Sequence, residues 1–419
     1  MTLVDLGIPG IGRTAKQLPL MPADEQAGLD PYMATIVGYR KSGLSLNHII
    51  GCPLDCGYCV RHFWGNFDDK SPHLLVPTEQ AIDMLITHPG FEPHVTPVQV
   101  FNKATDPFLP GVKPHLFQVL TALDERGYTN HILVITRFKI TAEDMAVLES
   151  LQHLRVTLLL TYSGIRDERI EPIAKSDITL TSLRTAAAHK QRTAVVLYWR
   201  PIVPGWNTDP ATMAHVLDAG RDADAIVFTG YYHQEANDAY LRSLGVELPF
   251  GPDDYHRRKT MSDELDATVV AAWRASGINT PLFRKTSCGV GYAHGAADYN
   301  GHWGVPGLCD ICPAKQQRRC AAAHTTPTPA ALDAVLGRLG FTGVPYRIDE
   351  GHIWVSGLTE MQRYPIQHLL GFQIWNVDSP HFDGAHGRSP LGHTIGETDL
   401  AAVEAAKAEL TLAARYEDD

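Results

Sequence analysis

Apolar residues recur along this chain in two rhythms that take turns from about residue 45 onward. The first is a short, largely apolar run rich in β-branched residues, at 46–50, 98–101, 132–136, 156–161, 194–198 and 225–228. The second is an apolar stripe at helical spacing, at 78–87, 114–126, 142–151, 180–190, 210–219 and 263–275. A run with no polar face predicts a strand covered on both sides. Six strand–helix units in succession predict an α/β protein with a parallel sheet and right-handed crossovers, either doubly wound or closed as a barrel. Pattern alone does not choose between the two.

The rhythm is framed by different sequence. Residues 1–44 are rich in Gly and Pro without a sustained period, and read as an extension with short helices at most. The repeating units occupy 45–284. Residues 285–324 hold four cysteines, many glycines and little periodicity. Residues 325–419 predict a small α+β domain: a helix at 330–339, strands at 346–349 and 352–356, a helix at 359–370, a loop at 378–393 and a last helix at 398–415.

Seven cysteines fall in two groups, Cys52, Cys56 and Cys59 early, then Cys288, Cys309, Cys312 and Cys320. An odd number and tight clustering point to metal rather than a disulfide framework. The early group is C-x3-C-x2-C, directly after the first strand. Three thiolates on one loop hold three irons of a cubane and leave the fourth open. A zinc ion would need one more ligand, and His62 is the near candidate. The late group, C-x2-C-x7-C with Cys288 upstream, supplies four thiolates for a second [4Fe-4S] cluster or for zinc.

Cys52-Pro53-Leu54-Asp55-Cys56-Gly57-Tyr58-Cys59, with an aromatic before the last cysteine, strongly resembles the radical S-adenosylmethionine (SAM) superfamily. The resemblance implies a partial (β/α)6 barrel, a [4Fe-4S] cluster whose open iron chelates SAM, and a 5′-deoxyadenosyl radical that abstracts hydrogen. Within 98–210 the segments Asn102-Lys103-Ala104-Thr105-Asp106-Pro107, Val134-Ile135-Thr136-Arg137-Phe138, Arg169-Ile170-Glu171-Pro172, Leu180–Ala187 with Arg184, and Arg200-Pro201-Ile202-Val203-Pro204-Gly205 are similar to the spore photoproduct lyase-like branch. That similarity implies SAM contacts from Tyr58, Arg137, Thr161, Ser163 and Arg184. The true lyase draws its hydrogen donor from a barrel cysteine, and this chain has none between Cys59 and Cys288. Tyr198, Tyr231 and Tyr232, with His233, are the expected donors or pocket residues, being placed at strand ends. Many superfamily members carry an auxiliary cluster after the barrel, which implies that role for the late cysteines, and a flavodoxin or ferredoxin would donate electrons.

Bulk properties narrow the partners. The chain of 419 residues is 44% hydrophobic and 20% charged, ample for a globular core. Its formal charge of −11 opposes a polyanion such as duplex DNA, and the basic clusters at 256–259 and at Lys315, Arg318 and Arg319 read as solvated surface. No apolar run nears the roughly 18 residues that span a bilayer. No basic segment leads into an apolar stretch at the N-terminus, so the expectation is a cytoplasmic protein. The expected substrate is a small molecule, nucleoside- or sugar-like. A peptide, a nucleic acid of the lyase type and a non-enzymatic zinc-binding role are the alternatives.

Overall fold

The apolar runs become neighbours in one sheet of the computed structural model, which describes residues 3–4, 15–16, 18–173, 177–232, 234–250, 259–305, 307–349, 351–378, 401 and 404–410. His233, residues 256–258, the loop from 379 to 393 and much of the helix expected over 398–415 lie outside the described residues. Strands β1 (Leu44–Leu46), β2 (Val98–Val100), β3 (His131–Thr136), β4 (Arg155–Thr161), β5 (Ala194–Ile202), β6 (Ala225–Tyr232) and β7 (Leu282–Phe283) stand side by side in chain order. Every neighbouring pair among them is parallel. The order never reverses, as it does in a doubly wound sheet. Val37–Gly38 and Lys259–Thr260 add antiparallel pieces beside β1 and β6.

Six connecting helices match the apolar stripes: α1 (Thr78–Ile86), α2 (Lys113–Asp124), α3 (Ala142–Ser150), α4 (Ile178–His189), α5 (Pro210–Ala219) and, after an unexpected α6 (Glu235–Ser243), α7 (Asp263–Ser276). Polar side chains fix several starts. Thr141 and Asp144 form a reciprocal capping box at α3, while Asp209 and Ser262 cap α5 and α7.

Alternate residues of each strand enter two different cores. Ile132, Val134, Val156, Leu158, Leu160, Val195, Leu197, Ile226 and Phe228 pack with the connecting helices. Leu133, Leu159, Val196, Tyr198 and Val227 face the other way, against Phe283 and Val290. Covering on both faces is why the runs carry no polar alternation. The second cover is α8 (Thr286–Ala293), a helix where the sequence pattern reads as irregular. Residues on both sides of position 284 therefore share one core. A second helix, α9 (Ala314–Ala323), follows the C-x2-C pair.

Three further differences concern strands. β1 ends at Leu46, and Ile49–Ile50 pairs instead with His73–Leu74. β6 runs on to Tyr232, so Tyr231 and Tyr232 belong to the strand rather than to the loop beyond it. β7 was not legible as a separate strand. Beyond residue 325, α10 (Pro329–Leu339), β8 (Tyr346–Asp349), β9 (His352–Val355) and α11 (Glu360–Leu370) lie where expected, and β10 (Ile374–Asn376) adds a parallel third strand. Leu332, Leu336, Ile353, Val355, Ile366 and Ile374 form its own apolar cluster.

Candidate active site

The cysteine loop lies beyond the C-terminal end of β1 and is shaped from several sides. Gly51 has φ +107°, and a Cβ there would stand 2.1 Å from the Ser71 carbonyl oxygen, so the approach requires glycine. The buried Arg61 folds the loop by donating to the carbonyls of Leu54 at 3.1 Å and Asp69 at 2.9 Å. Gly57 N donates to Ile170 O at 2.8 Å, which fastens the loop to the Arg169-Ile170-Glu171-Pro172 segment.

Glu171 anchors a buried network around Tyr58. Its carboxylate accepts from Arg137 Nη1 at 2.8 Å, from Tyr58 Oη at 2.6 Å and from Ser163 Oγ at 2.6 Å. Arg137 Nη1 also donates to Tyr58 Oη at 2.6 Å. Burial raises the Tyr58 hydroxyl well above the ordinary tyrosine range. Burial likewise pushes the Cys52 thiol up to about 12 and raises Cys56. In a thiol-only pocket these groups hold their protons, and only a bound metal would draw them off.

Cys52, Cys56 and Cys59 line a cavity of about 530 Å³, together with Tyr58, Arg137 and Thr161. The Thr161 hydroxyl is buried and has no hydrogen-bond partner among the described residues. Of the expected donors, Tyr198 and Tyr232 also line this cavity. Tyr198 Oη lies 3.1 Å from Thr286 Oγ1, and the Tyr232 ring stacks on Phe63 at 5.3 Å. Tyr231 points elsewhere: it is fully buried, its hydroxyl donates to Asp238 at 3.0 Å and its ring stacks on Phe250. Ser163 is occupied by Glu171 and is not a wall residue. Arg184 is exposed on α4 and does not reach the cavity.

The Asn102-Lys103-Ala104-Thr105-Asp106-Pro107 segment builds another wall. Lys103 Nζ donates to the carbonyls of Tyr32, Met33 and Thr35 at 2.6, 2.9 and 2.7 Å, and its burial lowers its pKa to about 7. Asp106 is buried and accepts from Thr136 Oγ1 at 2.6 Å and Arg137 N at 2.9 Å. Sequence reasoning quoted Glu171 and Lys103 within motifs but gave neither a role. No local signal set them apart: Glu171 follows the charged run Arg166-Asp167-Glu168-Arg169, and Lys103 sits between Asn102 and the polar Thr105-Asp106 pair.

The late cysteines converge. Cys288, Cys309, Cys312 and Cys320 line one small cavity with Arg284 and His302. Gln317 Nε2 holds the C-x2-C turn through the carbonyls of Cys309 and Cys312, at 3.1 and 2.9 Å. Burial raises Cys312 to about 12 and holds Cys288 well above the ordinary thiol range. Asp298, which the sequence did not single out, lies beside them: its Oδ2 is 2.8 Å from His302 Nδ1, and its N–H points at Cys320 Sγ, 3.4 Å away. Among the described residues, Cys288, Asp298 and His302 are the one trio with ligand atoms all within 4.8 Å of one another. Arg284 belongs to the walls of both cavities and is held by Asp266 at 2.7 Å and Asp310 at 2.5 Å.

Comparison with solved structures returns spore photoproduct lyase complexed with dinucleoside spore photoproduct, at 13% identity and TM-score 0.44, covering 58% of this chain and 78% of that one. Streptococcus suis SuiB bound to S-adenosylmethionine is similar at 10% identity and TM-score 0.40, covering 61% of this chain and 54% of that one. No family model matches the chain, and no curated protein matches it. Among the described residues no helix is long and apolar enough to cross a membrane.

Proposed function

We propose that the chain is a radical SAM enzyme whose sequentially ordered sheet is a partial (β/α)6 barrel. The observation that carries this reading is the set of three thiols on one loop, Cys52, Cys56 and Cys59, facing a cavity of about 530 Å³ beyond the C-terminal ends of parallel strands. A [4Fe-4S] cluster held by these three cysteines would supply the electron that splits SAM and yields a 5′-deoxyadenosyl radical. Around it the chain's own residues orient and exclude water. Glu171 holds Tyr58 and Arg137 in place, and Arg137 offers a cationic face to the cavity for the SAM carboxylate. The unpartnered Thr161 hydroxyl is a ready contact for a ribose or amino group. Tyr198 and Tyr232 line the wall where hydrogen is abstracted or returned.

The late cysteines are read as an auxiliary [4Fe-4S] site, with residues 325–419 as an accessory unit. The substrate is read as a small molecule rather than a peptide. An anaerobically reconstituted sample tests the whole reading. Cleavage of SAM to 5′-deoxyadenosine under dithionite supports it, and a preparation that binds zinc but no iron and leaves SAM intact sinks it.

A further inference from the structure

The cavity is far more basic than the chain. Among the described residues, eight Lys and Arg line its wall, against Asp106 as the single carboxylate there. Several of the eight are engaged inside the protein. Lys103 and Arg61 serve backbone carbonyls, Arg284 is clamped by two aspartates and Arg137 is paired with Glu171. Arg200 and Lys285 differ from these. Arg200, near the C-terminal end of β5, lies 4.1 Å over the Tyr198 ring and has no carboxylate partner among the described residues. Lys285 is 6% exposed, and its Nζ has no hydrogen-bond partner among the described residues. Its near neighbour Lys41 carries another ammonium, which cannot accept a hydrogen bond. Cys288 and then Asp298 act on it electrostatically, but neither hydrogen-bonds to it, and the Asp298 Oδ2 accepts instead from His302 N and Nδ1, both at 2.8 Å.

These cations stand where a helix begins. Lys285 is the residue before α8, no side chain caps that helix, and Lys285, Thr286 and Ser287 all line the cavity. The first N–H groups of a helix attract an anion, and more so beside a fixed positive charge. On the adjoining strand β6, the Thr229 hydroxyl is buried on the same cavity wall without a partner among the described residues. A buried ammonium whose hydrogens meet no acceptor is costly, and an anion entering from the cavity would relieve that cost.

We propose that the α8 end of the cavity, built from Lys285, Arg200, Thr229 and the helix N-terminus, binds the phosphate of a small phosphorylated substrate. Donors arriving from a helix end, two cations and a hydroxyl suit the several oxygens of a phosphate better than the two of a planar carboxylate. The enclosure of Lys285 admits a phosphate ester and not the continuous backbone of a duplex. This assignment rests on the reading of the cavity as the radical SAM site.

Inorganic phosphate is the probe, titrated calorimetrically into the metal-free full chain at low salt, with acetate as the comparison. Saturable phosphate binding, weakened about tenfold or more by Lys285→Met and by Arg200→Gln, is the expected result. Lys285→Met should still fold, because an apolar chain of similar length replaces a buried cation that makes no hydrogen bond among the described residues. Arg200 is half-buried, so Arg200→Gln gives a second, independent variant. Absence of saturable phosphate binding, tighter binding of acetate, or equal binding by both variants overturns the proposal. So does an oligonucleotide that binds tighter than phosphate through Lys285 with a steep salt dependence. SAM cleavage by the reconstituted wild type is scored separately: if it fails while phosphate binds, the radical reading falls and the anion site stands.

Discussion

The network around Glu171 makes the sharpest prediction. Glu171→Gln removes the charge from a side chain that is 4% exposed and accepts three hydrogen bonds. Tyr58 and Ser163 can turn their hydroxyls to meet a glutamine, but the Arg137 guanidinium has only hydrogens to offer. Breaking a buried ion pair from one side costs about 3–5 kcal/mol. The Arg137 side chain keeps 13% of its surface exposed on the cavity, so water recovers part of that loss and about 2–3 kcal/mol is expected. Tyr58→Phe deletes one hydroxyl from the same network and should cost about 1–1.5 kcal/mol. Because both changes strike one carboxylate, the double variant should fall short of their sum by about 0.5 kcal/mol or more. Urea unfolding of the metal-free protein, followed by tryptophan fluorescence, measures all three. A Glu171→Gln cost under about 0.5 kcal/mol, or strict additivity with Tyr58→Phe, would refute the reasoning.

Further outcomes are expected. Replacing Cys52, Cys56 or Cys59 singly by Ala should abolish reductive SAM cleavage, and one variant cleaving at the wild-type rate would remove the cluster assignment. Reconstituted wild type should hold about eight irons and the Cys309→Ala, Cys312→Ala double variant about four, as two four-iron sites require; four irons with one zinc in the wild type would make the late site structural. His48 and His131 are buried, and burial first, then a neighbouring histidine, lowers each pKa to about 3. Folded values below the unfolded value of about 6.5 mean stability that is full above that pH and lost as it falls toward 3, about 1.4 kcal/mol per pH unit for each histidine. An acid unfolding profile flat from pH 6 to 4 would contradict this. Gly51→Ala should cost about 1–3 kcal/mol from its dihedral alone and lower iron retention, and a variant with normal iron content would show that the loop does not need that approach.

The middle of the sheet was legible in sequence because β3, β4 and β5 are buried on both faces and so declare themselves as unbroken apolar runs. The run 46–50 misled because Asn47 and His48 interrupt it with buried polar tasks. Asn47 Oδ1 accepts from Lys103 N at 3.0 Å, and His48 Nε2 lies 2.9 Å from Thr78 Oγ1, so the chain leaves the sheet there. β6 outran its expected end because Thr229-Gly230 weakens the pattern where the strand turns toward the cavity. Helix α8 was hidden by its own glycines. A Cβ at Gly289 would stand 2.5 Å from the Val227 side chain, so the residue that reads as a loop former is what lets the helix lie on the sheet. The cysteines were legible as ligands from spacing alone. Glu171 and Asp298 were not, since partners 113 and 22 residues away along the chain carry no local signature.

The placement of α8 bears on how the molecule comes to exist. Leu133, Leu159, Val196 and Val227 have no cover until Phe283 and Val290 have been synthesised. A ribosome that has delivered every helix of the outer layer has still produced a sheet with one greasy side open to water. A chain stopped after residue 284 would carry all three early cysteines and yet be a sticky, aggregation-prone intermediate. The cysteine-bearing tail is thus the closing piece of the sheet domain itself. Iron delivered to Cys52, Cys56 and Cys59 before that piece docks would meet a site with one wall missing.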